Sequence, residues 1–143
     1  MLLGHLSLVV AALFSGTAIY VNFAEQPARM KLDDQALLVQ WKLSYKRGFM
    51  MQAPLAMVGC LLGFAAWWMT GRLAFFVGGF LMIANWPWTV FGIMPTNNIL
   101  MRTDLAASGP KTRALLIKWN GLHAVRSALG VLATLAFLIA LSN

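Results

Sequence analysis

Residues 119 to 130 read WNGLHAVRSALG. Trp119, His123 and Arg126 stand at i, i+4 and i+7, so a helix would carry all three on one face. A titratable imidazole beside a permanent cation suits proton transfer with charge stabilisation. The surroundings make the pair conspicuous, because the same run continues VLATLAFLIALSN. An ionised side chain at a bilayer centre costs about 3 kcal/mol on insertion scales, so it usually faces protein or water and marks a functional site.

The elements that must position this face are apolar. Four stretches reach the roughly 20 residues needed to cross the hydrocarbon: Leu3–Phe23, Met50–Met69, Leu73–Met94 and Ile117–Leu141. The chain has 143 residues, 60% hydrophobic and 10% charged, where soluble domains run near 25% charged. This composition predicts an all-α integral membrane protein, one four-helix transmembrane bundle over residues 1–143. The first stretch has no Lys or Arg before it, a long apolar run and no clear A-x-A site, so it is read as a retained span rather than a signal peptide.

Basic residues set the expected orientation. Nine of them (Arg29, Lys31, Lys42, Lys46, Arg47, Arg102, Lys111, Arg113 and Lys118) fall in the first and third connections, and Arg72 alone falls in the second. The positive-inside rule then puts those two connections in the cytoplasm and both termini on the other side. A bacterial inner membrane is the expected location. The net charge of +7 thus reads as topology and attraction to lipid headgroups, not as affinity for nucleic acid.

In the first connection, Leu37, Leu38, Trp41 and Tyr45 recur at helical spacing with Lys42 and Lys46 off that face. This predicts a short interfacial helix, capped by Asp33 and ended by Gly48. The third connection predicts a short helix near 97–107 followed by a break at Ser108–Pro110. The TGR turn at Thr70–Arg72 joins spans two and three tightly. Pro54 is expected in the first turn of span two, and Pro87 is expected to kink span three. Gly59 and Gly63 form a small-xxx-small pair that lets helices approach.

Depth can be counted at 1.5 Å per residue from the basic ends of the spans. On that scale His123 lies about 8 Å deep, and Arg126, Asn85 and Ser15 lie about 12–13 Å deep. Polar groups from three helices therefore share a layer, and Arg126 should find a partner among Asn85, Ser15 or carbonyls freed by Pro87. A purely structural account has Asn85 as interhelical glue and Arg126 snorkelling to phosphates. Trp86 and Trp88 lie deeper than an aromatic belt requires and could wall a pocket for a flat apolar ligand.

Other chemistries are poorly served. The single cysteine, Cys60, excludes disulfide frameworks and thiol-to-quinone electron transfer, and is read as packing. His5 and His123 belong to opposite membrane faces, so one chain cannot use both as axial haem ligands. No His, Cys, Asp or Glu cluster has metal-ligand spacing, so no metal is expected.

Two segments carry a family resemblance: MPTNNILM at 94–101, with a P-x-N-x-x-L pattern, and WNGLHAVRSAL at 119–129, with W-x-x-x-H-x-x-R. With the four-span layout they resemble a bacterial and fungal membrane family whose better understood members are the anthrone oxygenases of fungal polyketide pathways. The matching residues are Pro95, Asn97, Leu100, Trp119, His123 and Arg126. The resemblance implies an oxidoreductase acting with dioxygen on a lipophilic, tricyclic phenolic ketone, without an assigned cofactor. On that basis His123 and Arg126 are the catalytic candidates, as base and oxyanion partner, and Asn85, Trp88, Asn97, Trp119 and Asn120 are the substrate-binding candidates. Membrane lipid and a small lipophilic aromatic molecule are the expected partners, and a homo-oligomer is compatible with the sequence. The alternative is a non-catalytic membrane subunit or lipid-ligand binder. An enzyme should keep a cavity bordered by His123 and Arg126, and a structural subunit should fill that space.

Overall fold

The computed structural model describes residues 1–142 as an all-α bundle. Helix α1 (Leu2–Tyr20) passes through a π-helical turn, Val21–Glu25, into the short α2 (Gln26–Arg29). Helix α3 (Asp34–Thr70) turns back into α4 (Leu73–Pro87), which runs through a second π-helical turn, Trp88–Ile93, into α5 (Met94–Arg102). A 3-10 turn, Leu105–Ala107, leads to α6 (Pro110–Ser142). Four continuous helical stretches are long and apolar enough to cross a membrane: Leu2–Arg29, Asp34–Thr70, Leu73–Arg102 and Pro110–Ser142. α1 and α4 each pack against both α3 and α6, so the helices form a ring in the order α1, α3, α4, α6.

These stretches are longer than the four expected spans. At 1.5 Å per residue they measure about 42, 55, 45 and 50 Å against a hydrocarbon thickness of about 30 Å. The excess lies at the end carrying the basic connections, because the opposite end closes in a tight turn, with Gly71 in the left-handed region at φ 70°.

The first connection differs from expectation for this reason. Asp33 does cap the helix, its Oδ1 accepting from Ala36 N at 2.8 Å, but Gly48 does not end it, and residues 34–70 form one helix. A glycine inside a helix costs only about 1 kcal/mol. The apolar face taken for a membrane-surface face is buried protein: Leu37, Leu38 and Trp41 pack with Ile93, Leu100, Leu116 and Trp119. Pro54 consequently lies inside α3 rather than in a first turn. In the third connection, the helix starts at Met94 without leaving span three and ends at Arg102, and α6 begins at Pro110 instead of Ile117. Hydrogen bonds clasp the basic connections together: Lys42 Nζ donates to Thr103 O at 2.6 Å, and Arg113 donates to Asp34 Oδ1, Met30 O and Leu32 O at 2.7–2.9 Å.

Two cores result. At the basic end is the cluster around Trp41 and Trp119. At the opposite end Phe14, Cys60, Phe75, Met82 and Phe137 pack among alanines. Close approach there depends on missing side chains, since a Cβ on Gly63 or Gly78 would stand 2.8 or 2.4 Å from the Phe137 ring. Gly59 and Gly63 therefore do serve packing. Between the two cores, side chains of α1, α3, α5 and α6 line a cavity.

Candidate functional site: a cavity between two cores

The cavity has a volume of about 440 Å³, within the range of roughly 300–1,000 Å³ usual for small-molecule sites. Its walls come from α1 (Gly16, Thr17, Tyr20), its continuation (Val21, Glu25, Arg29), α3 (Ser44 to Gln52), Ile93, Asn97 and α6 (Trp119, His123, Arg126). Tyr20, Phe49 and Met51 are exposed on the outer surface between α1 and α3. A Cβ at Gly16 or Gly48 would meet nothing within 4 Å. On this side the space is bordered by residues on the outer surface of the bundle.

Trp119 anchors the end nearest the basic connections. Its indole Nε1 donates to Asn97 Oδ1 at 2.8 Å, its ring stacks on His123 with centroids 4.9 Å apart, and its edge meets Trp41 at 6.0 Å. The Arg29 guanidinium lies over the same ring at 5.6 Å. Arg29 is itself fixed by Glu25 Oε1 at 2.6 Å, Ser44 Oγ at 3.0 Å and Gln26 Oε1 at 3.2 Å. Gln26 in turn donates to Leu116 O at 2.9 Å. Asn22, Gln26 and Arg29 share a face at i, i+4 and i+7, and the wide π-helical turn falls within this stretch. Such turns recur at functional sites.

His123 has a defined tautomer. Asn22 Nδ2 donates to Asn120 O at 2.9 Å and to Asn120 Oδ1 at 2.7 Å, so its Oδ1 is the atom presented to the imidazole. The Ser127 hydroxyl donates to that oxygen at 2.7 Å. His123 Nδ1, 3.0 Å away, must therefore carry the proton and donate. That leaves Nε2, on a ring that lines the cavity, as the free lone pair.

Arg126 is held differently. Nη1 donates to Thr89 Oγ1 at 3.0 Å and Nη2 to Gln52 Oε1 at 3.1 Å. The Phe14 ring lies 5.6 Å away, and Nε has no partner. Thr89 Oγ1 passes its own proton to Asn85 O at 2.7 Å. The carbonyl network around Pro87 is thus reached through a threonine hydroxyl, not directly. A second cavity of about 90 Å³ lies along Arg126, Asn85, Thr89 and Trp86, so Arg126 borders both spaces.

The expected site residues are therefore distributed. His123, Arg126, Asn97 and Trp119 line the main cavity. Asn85 lines the smaller one, with Nδ2 donating to its own helix and Oδ1 unpartnered. Trp88 and Asn120 line neither: Trp88 Nε1 is bound to Leu122 O at 3.0 Å, and Asn120 serves Asn22. Ser15 bonds Thr134 Oγ1 at 3.0 Å. The single polar cluster expected around His123, Arg126 and Asn85 is instead two networks, one through Asn22 and one through Thr89 and Gln52. Asn22, Gln52 and Thr89 were not singled out in the sequence. The i, i+4, i+7 spacing of Asn22, Gln26 and Arg29 was the available signal for the first. Gln52 and Thr89 had none, since a single amide or hydroxyl in a span is ordinary. Among the described residues, no group of three or more His, Cys, Asp or Glu stands together as a metal cage.

A four-helix membrane bundle with a largely apolar side cavity, into which a histidine and an arginine are set, is the class of protein this fold and site define. The chain belongs to the anthrone oxygenase family: residues 41–136 match that family. It is 31% identical over 131 residues to the anthrone oxygenase tpcL of Aspergillus fumigatus, an alignment covering 85% of this chain and 81% of that one. No solved structure matches significantly.

Proposed function

We propose that this protein is a membrane oxygenase that oxidises a lipophilic aromatic substrate with dioxygen in the cavity beside His123 and Arg126. The observation that carries the reading is the His123 tautomer, which sets an unengaged Nε2 on the wall of a cavity kept open between two packed cores. Family membership supplies the chemical class.

An anthrone carries a methylene flanked by two aromatic rings and placed opposite a ketone. Removing one proton from that carbon spreads charge onto the ketone oxygen and makes the carbon electron-rich enough to react with dioxygen. In the full reaction the methylene becomes a carbonyl, one atom of dioxygen enters the product, and the other leaves as water with the two hydrogens. Oxygen is the oxidant throughout. His123 Nε2 accepts the proton, and Asn22 keeps the ring in the accepting tautomer. Arg126 stabilises charge developing on oxygen in surroundings drier than water. Trp119, fixed by His123, Arg29, Trp41 and Asn97, holds the substrate rings by contact at the cavity wall.

The test is oxygen uptake and quinone formation by the purified protein in nanodiscs supplied with anthrone. His123→Gln should lower turnover by roughly a hundredfold, the scale of a positioned base, with unchanged size-exclusion behaviour. An unaltered rate removes His123 from the mechanism, and no uptake at all with anthrones of any substitution ends the oxygenase reading. The same reading orients the cavity toward the cytoplasmic leaflet, following the basic connections. Single cysteines from Ser108→Cys and Ser142→Cys, each with Cys60→Ala, should react with an impermeant reagent on intact cells only at position 142. Labelling at 108 alone inverts the topology.

A further inference from the structure

We infer that the occupant of the main cavity arrives as an anion, with Arg126 as its counter-ion: a lipophilic aromatic acid bearing a phenolate or carboxylate oxygen. This rests on the reading of the cavity as the substrate site, and differs from it by placing the charge on the ligand before any proton is removed.

The charges on the wall are unbalanced. Arg29, Arg47 and Arg126 line the cavity against one carboxylate, Glu25. Glu25 is already committed to Arg29 at 2.6 Å and also accepts from Gln40 at 3.0 Å. The second ion pair among the described residues joins Arg113 to Asp34, outside the cavity. Arg126 is 7% exposed, and its two partners, Thr89 Oγ1 and Gln52 Oε1, are both neutral. A guanidinium has five N–H donors, of which two are engaged here. Burying a cation in a bilayer without a counter-charge is costly, and a bound anion removes that cost most directly. Every other described carboxylate is spoken for or remote in the basic connections, so the anion that fits is one carried by the ligand. The rest of the wall, with Trp119, Phe49, Tyr45 and Ile93, requires that anion to be attached to an apolar, ring-bearing body.

The experiment compares anthracene-9-carboxylate with the neutral anthracene-9-carboxamide, titrated by equilibrium dialysis against protein in phosphatidylcholine nanodiscs after subtracting partition into empty nanodiscs. In the wild type the carboxylate should bind at least about tenfold more tightly, the scale of one charge-assisted contact. Arg126→Gln should bring the two within about twofold, and Arg126→Lys should keep part of the preference, since a cation remains. Equal affinities in the wild type overturn the inference without needing any variant. A preference that survives Arg126→Gln also overturns it, moving the charge to Arg29 or Arg47. A wild type that keeps the preference yet consumes no oxygen supports this inference and removes only the oxygenase reading.

Discussion

Arg29 and Arg126 are both guanidiniums buried inside a membrane protein, 2% and 7% exposed, and they are treated in opposite ways. Arg29 has a carboxylate, an amide, a hydroxyl and an indole face around it. Arg126 has one hydroxyl and one amide oxygen, a phenyl ring and two cavities; Nε is unpartnered in both. The first is a charge neutralised by its own fold, which fixes Glu25, Ser44 and Trp119 relative to one another. The second is a charge the fold leaves uncompensated, and proteins keep such charges where something else must meet them. Burial alone does not separate a structural arginine from a functional one; the identity of its partners does.

That contrast is broken most severely by removing each cation in turn. Arg29→Leu strands Glu25 and Gln26, and should cost about 3 kcal/mol, the lower end for opening a buried pair. Arg126→Leu removes an unneutralised charge and leaves Thr89 its bond to the Asn85 carbonyl, so stability should change by no more than about 1 kcal/mol. Reversible unfolding in mixed detergent micelles measures both. Equal losses would mean that Arg126 is as much a part of the scaffold as Arg29.

A smaller effect sharpens the distinction on the His123 side. Asn22 is a positioning residue, acting through the tautomer it imposes. Asn22→Leu should lower turnover about tenfold, equivalent to about 1.4 kcal/mol. Asn22→Asp preserves the acceptor for Nδ1–H and should restore most of the rate. Loss of rate in both variants alike, measured by oxygen uptake, would show that Asn22 matters only for packing against Asn120.

Most of the architecture and part of the site were legible in advance. The four spans follow from run length and the Asp33 cap from its local pattern. Trp119, His123 and Arg126 share a face by helical periodicity alone. All of these are consequences of spacing along one segment, which is why sequence sufficed. The length of α3 was not legible, because the face of Leu37, Leu38 and Trp41 looks the same whether it meets lipid headgroups or the ends of α5 and α6.

The pairings were decided only in three dimensions. Asn22 meets His123 across 101 positions and Gln52 meets Arg126 across 74, and no local rule selects one amide in a span over another. Trp88, promising by depth, turns its indole N–H to Leu122 O and leaves the cavity wall. The cavity itself has no residue of its own. Its walls come from α1, α3, the second π-helical turn, α5 and α6, which meet around one space only when the helices pack.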